Sequence, residues 1–129
     1  MSLPHTAYAD ALHATLADAG LAPITTAVRV TDTFIRLTRQ TVHDLWIELA
    51  WESGHSLTWH HVQGWYLHRP GAAPSELDLP LLVDPVVLIA VVQAALDGTW
   101  SRCGMPDQPA LWTDYRDVDQ RIAAWEDRS

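Results

Sequence analysis

The stretch WESGHSLTWHHVQGWYLHR, residues 51–69, holds three of the chain's seven tryptophans and four of its seven histidines. Two glycine-ended triplets within it, Glu52-Ser53-Gly54 and Val62-Gln63-Gly64, separate strand-like segments. A three-residue hairpin loop built on a type I turn takes glycine at its third position, where the backbone turns left-handed. Reading both triplets this way pairs Trp51 with His55, Leu49 with Leu57, Ile47 with Trp59 and Leu45 with His61. The second loop then pairs His61 with Trp65 and Trp59 with Leu67. One face collects Leu45, Ile47, Leu49, Trp51, Leu57, Trp59, Trp65 and Leu67, so turn chemistry and burial agree on a single register. On the opposite face Trp46, His60 and Tyr66 form one row, and Glu48, Thr58 and His68 the next. A two-residue loop at Gln63-Gly64 is the alternative, and it would carry Tyr66 and His68 to the core side and expose Trp65 and Leu67.

Outward from this stretch, DLWIELAW (44–51) alternates strictly and predicts a strand. ITTAVRV (24–30) and FIRLTR (34–39) are rich in β-branched residues and flank Thr31-Asp32-Thr33, which predicts a hairpin turning at those three residues. Tyr8, Leu12 and Leu16 lie four apart before Gly20 and Pro23, so the spacing predicts a helix from about Thr6 to Ala19. RPGAAPSELDLP (69–80), with its prolines and glycine, reads as a surface connection. Asp84 reads as a helix N-cap with Pro85 in the first turn and Gly98 closing, and Val86 to Leu96 is apolar nearly all round, predicting the most buried helix. GTWSRCGMPDQPALW (98–112) reads as an irregular link. A last helix runs from about Thr113 to Glu126 with Tyr115, Val118, Ile122 and Trp125 on one stripe. The expected architecture is a single α+β domain over residues 1–129, an antiparallel sheet of about five strands preceded by one helix and followed by two.

Composition narrows the function classes. The chain of 129 residues has eight arginines, no lysine and sixteen carboxylates, a net charge of −8. That balance disfavours nucleic acid or an anionic membrane as partner, since both call for a basic patch. It also suggests a GC-rich bacterial genome. Cys103 is the only cysteine, which excludes an intrachain disulfide. The opening residues lack a basic, continuously apolar leader, and the apolar run Val86–Val92 is too short to cross a bilayer. A cytoplasmic protein is the expectation.

No motif names an activity. There is no HExxH, no CxxC, no GxSxG elbow and no Gly-rich phosphate loop, so no cofactor is implied. Cys103 carries no nucleophile signature, and Asp114, Asp117 and Asp119 read as charges favouring the start of the last helix. Glu48, His60 and His68 could converge as a two-histidine, one-carboxylate metal set, because diagonal sheet neighbours lie about 7 Å apart. His60 and His61, adjacent on a strand, would point to opposite faces. The remaining feature is recognition. Trp46 and Tyr66, with His60, His68 and Arg69 beside them, either lie under a helix or the 99–112 segment, with Trp100 or Trp112 completing the cluster, or form an exposed patch of the residue types that dominate binding hot spots. A protein partner or a homodimer through that face is the expected use, with a metal-dependent or His-assisted enzyme as the alternative.

The pattern IELAWESGHSLTWHHVQGWYLHRPG followed by LPLLVDPVVLIAVVQAAL resembles small uncharacterised actinobacterial domains in which a Trp/Gly-rich strand meander precedes a Pro-started helix. The resemblance covers about residues 42–98 and implies no functional residue, because those domains have no assigned activity. The helix–meander–helix order is also similar to secretion-chaperone-like folds, which act by binding other proteins.

Overall fold

The computed structural model describes residues 3–101 and 109–126. One helix, α1 (Thr6–Asp18), precedes strands β1 (Thr25–Ile35), β2 (Gln40–Ala50), β3 (Ser56–His60), β4 (Gly64–His68) and β5 (Ser75–Leu77). Helices α2 (Pro85–Leu96) and α3 (Tyr115–Glu126) follow. All strand pairs are antiparallel in the order β1-β2-β3-β4-β5, so the fold is an α+β meander.

The first glycine loop forms as expected. Gly54 is left-handed at φ 92°, the Trp51 amide donates to the His55 carbonyl at 2.9 Å, and Ile47 faces Trp59. The second loop differs. Its three residues are His61, Val62 and Gln63, and Gly64, left-handed at φ 86°, already belongs to β4 opposite His60. Trp59 therefore faces Trp65 rather than Leu67. The shift is by two residues, and side chains alternate with period two, so the apolar face survives unchanged. The row expected to hold Trp46, His60 and Tyr66 now holds Trp46, His60 and Gly64, with Glu48, Thr58 and Tyr66 next to it.

Two other expectations are corrected. Thr31, Asp32 and Thr33 do not turn. They continue β1, and the turn falls at residues 36–39, where Arg39 takes φ 56° without being a glycine. The flanking threonines are β-branched and suit an extended chain, and Asp32 is held across the ladder by the His43 ring. Ser75–Leu77, inside the segment read as a surface connection, pairs with β4 and buries Ser75 and Leu77. Five strands result, but from different pieces than expected.

The core lies on one face of the sheet. Leu45, Ile47, Leu49, Leu57, Trp59, Trp65 and Leu67 pack with Tyr8, Leu12 and Leu16 of α1, Leu88, Val91 and Val92 of α2, and Val118 and Ile122 of α3. Burying each such side chain contributes roughly 1.5–3 kcal/mol, and the two fully buried tryptophans are anchored by polar atoms as well. Trp59 and Trp65 both donate their indole N–H groups to the Leu81 carbonyl, at 2.8 and 3.2 Å. The Tyr8 hydroxyl donates to the Val83 carbonyl, tying α1 to the segment before α2. Asp84 caps α2 as read, accepting from the Val86 amide at 3.0 Å. The helix nevertheless exposes a stripe at Val86, Ala90 and Gln93.

β1 and β2 are eleven residues each, whereas β3 pairs with β2 only from Trp46 to Ala50. The ladder from Thr31↔Asp44 to Ile35↔Gln40 thus projects as a two-stranded arm. Its apolar side chains stand in solvent, Leu37 at 97% and Phe34 at 60% exposure.

Candidate functional site

All three helices pack on the inner face, which leaves the outer face to be accounted for. Trp46, Glu48, Thr58, Tyr66 and His68 on that face are each half-buried. Their polar and ring contacts stay within the sheet: Trp46 donates its indole N–H to Thr31 Oγ1 at 2.8 Å, Arg29 reaches Glu48 at 3.4 Å, and Thr58 Oγ1 meets His68 Nε2 at 2.8 Å. Neither tryptophan expected to cover this face does so. Trp112 packs on Tyr8 with ring centroids 5.1 Å apart, and Trp100 lies under the Arg69 guanidinium. Val42 and Ile35 of the arm continue the same face beyond Trp46.

Of the residues singled out from the sequence, Trp46 and His60 meet, with ring centroids 4.4 Å apart. Tyr66 and His68 share the face without touching that pair through a hydrogen bond or ring contact. Arg69 does not join them. It follows the end of β4 and turns to the other side, against Trp100 and Ser75. Cys103 lies outside the described residues.

The histidines form a different group from the one expected. Glu48 pairs with Arg29 and His68 with Thr58, while His60 Nε2 meets Asp44 Oδ1 at 3.0 Å. Asp44, His60 and His61 bring one ligand-type atom each within 4.8 Å of one another. The expectation that His60 and His61 point apart fails because β3 ends at His60. His61 sits in the turn, where alternation no longer applies, and the two rings approach to 5.0 Å. Beside them a cavity of about 260 Å³ opens between the β2 side of the arm and the end of α3, lined by Asp44, His61 and Glu126 among others.

Hydrogen bonding determines what this group can do. His60 Nδ1 accepts the amides of Val62 and Gln63 at 3.1 and 2.9 Å, and His61 Nδ1 accepts the Leu45 amide at 3.1 Å. An imidazole nitrogen that accepts is unprotonated, so each neutral ring carries its proton on Nε2. His60 donates that proton to Asp44, and His61 directs it towards Glu126 Oε1 at 3.7 Å. Neither ring keeps a free lone pair for a base or a metal. Coordination through Nε2 would move the proton to Nδ1 and set it against three backbone N–H groups. In this arrangement the residues do not fit a metal; they cap a turn and a strand end.

Burial pushes the His61 pKa down, assisted by neighbouring His60 and opposed by the carboxylates of Glu126 and Asp44. A third histidine, His5, is fully buried. It stacks on Trp59 and places Nε2 at 3.0 Å from the Trp46 carbonyl and 3.3 Å from that of Arg29. Burial lowers its pKa too, against the raising effect of those two carbonyls. Asp44 was within reach of sequence reasoning, since it lies two residues before Trp46 and so shares the face of His60. His61 was not, because its role depends on where β3 stops.

No protein-family model matches the chain, and neither a curated protein nor a solved structure gives a significant match. No helix among the described residues is long and apolar enough to cross a membrane.

Proposed function

We propose that the chain is a cytoplasmic protein-binding domain, an adaptor, chaperone-like or regulatory subunit, that uses the outer face of its sheet. The observation behind this reading is that Trp46 and Tyr66 stay half-exposed on a face whose polar and ring contacts come only from the sheet, all three helices being engaged on the other side. Aromatic side chains of this kind bury a large area at small entropic cost when a partner covers them. The Tyr66 hydroxyl has no protein partner among the described residues, which leaves it available to one. His68 supplies a polar rim, and His60 sits beneath Trp46 and holds its ring in place. The occupant is another protein, for which the net negative charge favours a basic surface, or a second copy of the chain.

The alternative, a metal-dependent or His-assisted enzyme, has one observation in its favour, the Asp44–His60–His61 grouping, and the occupied Nδ1 atoms speak against it. Affinity purification from the native host distinguishes the readings. A protein retained by the wild type and lost with Trp46→Ala/Tyr66→Ala, while elemental analysis shows no bound metal, supports the binding domain. Stoichiometric zinc or iron that disappears in His60→Ala, or the same retained proteins from both forms, refutes it.

A further inference from the structure

Arg69 is the one described arginine that is not exposed on the surface. Arg29 and Arg121 pair with Glu48 and Asp117, whereas no carboxylate pairs with Arg69 among the described residues. In a chain with twice as many carboxylates as arginines, a half-buried guanidinium kept from all of them calls for a physical reason. Its Cζ lies over the Trp100 indole, 5.0 Å from the ring centroid, and its one hydrogen bond among the described residues is a long one, 3.4 Å to Ser75 Oγ. Arg69 Nε is buried without an acceptor among the described residues.

Beside this pair lies a cavity of about 320 Å³, between the β2–β3 loop, the turn after β4 and the end of α2. His55, Arg69 and Trp100 line it together with Pro70, Ala72 and Ala95, and none of its described lining residues is acidic. Two backbone features build the walls. Left-handed Gly54 lets the β2–β3 loop close on the turn, since a Cβ there would lie 3.1 Å from Pro70 Cγ. Left-handed Gly98 turns the chain so that the Thr99 and Trp100 amides donate to the Ala94 carbonyl at 2.8 and 3.1 Å. With the Asp97 and Gly98 amides on the Gln93 and Ala95 carbonyls, these bonds occupy three of the carbonyls at the end of α2, which lessens their repulsion of an anion.

We propose that Arg69, Trp100 and His55 form a binding pocket for the carboxylate of a small organic acid. The cation supplies the matching charge and a planar set of donors, held in orientation by the indole. The alanines, Pro70 and the indole face take an apolar body, and the volume sits at the small end of ligand pockets. A single guanidinium on an acidic protein suits one negative charge better than a polyphosphate. This site is separate from the outer sheet face and stands or falls apart from it.

Benzoate serves as the probe, followed by chemical-shift titration of the Trp100 indole N–H in the full chain. A ligand of this size saturates with a dissociation constant on the order of 1 mM. Arg69→Gln and the neutral analogue benzamide each weaken binding at least tenfold, and inorganic phosphate binds more weakly than benzoate. Ala72→Trp fills the cavity while leaving Arg69 itself in the chain, and abolishes binding with the thermal midpoint retained, which guards against a misfolded Arg69 variant. No saturable shift, equal binding of benzamide, unchanged binding in either variant, or tighter binding of phosphate overturns the proposal.

Discussion

Acid should weaken this fold through its buried histidines, and the structure sets both the sign and the limiting size of the effect. Burial holds His5 and His61 below the ordinary value of 6.5 in the folded chain. Below pH 6.5 the unfolded chain takes up a proton at each ring while the folded rings stay neutral. Stability is therefore full above that pH and falls as the pH drops below it. Each group contributes a slope of at most about 1.4 kcal/mol per pH unit, so the pair gives up to about 2.7. That is a sizeable part of the 5–15 kcal/mol typical of whole domains. Urea unfolding followed by tryptophan fluorescence from pH 7.5 to 5.5 measures the slope. His61→Asn places an amide oxygen where Nδ1 accepts the Leu45 amide, so it keeps the cap and removes the titration; the slope should fall by about half. His5→Gln keeps a donor towards the Arg29 and Trp46 carbonyls and should remove most of the remainder. A wild-type stability flat across this range, or a slope unaltered in the double variant, would refute the reasoning.

Smaller perturbations test the rest of the fold. Asp84→Ala removes the side-chain acceptor of the Val86 amide and should cost about 1 kcal/mol by denaturant midpoint. Gly54→Ala should be worse than Gly64→Ala: both force a left-handed residue, at roughly 1–2 kcal/mol, but only Gly54 also drives a methyl group against Pro70, whereas Gly64 has open space. Equal losses would show that the Gly54–Pro70 approach has no energetic weight. Tyr8→Phe leaves the Val83 carbonyl without its buried donor and should cost about 1–3 kcal/mol, read as a lowered thermal midpoint.

How far the chain could be read in advance depended on whether the deciding interaction was local. The Gly54 loop was legible because its left-handed residue and the alternation on either side sit within a few positions. The Gly64 loop was legible only to within its parity, since left-handed glycine can close a loop or open the next strand and the apolar face is identical either way. At the β1–β2 turn the chain uses Arg39 where glycine would have marked the spot. β5 depends on its neighbour β4 for its definition, and no local pattern in a proline-rich segment marks it. The histidine group was the least legible. Backbone amides donating into imidazole rings leave no spacing rule in a sequence, and Arg69 was assigned to the wrong surface because its real partner, Trp100, lies beyond α2.

The link between α1 and the segment before α2 has a consequence for how the protein is made. The strands are joined to their sequence neighbours by short loops, so the sheet can assemble from one end to the other at little loop-closure cost. The N-terminal helix is different. Tyr8 waits for Val83, 75 residues further on, and α1 packs against α2. A ribosome adding 5–20 residues per second takes on the order of 4–16 s to travel from the end of α1 to the end of α2. Through that interval the Tyr8 hydroxyl lacks its acceptor and the flank of α1 that meets α2 has nothing to lie against. The first element to leave the ribosome thus completes its contacts only once α2 has been made.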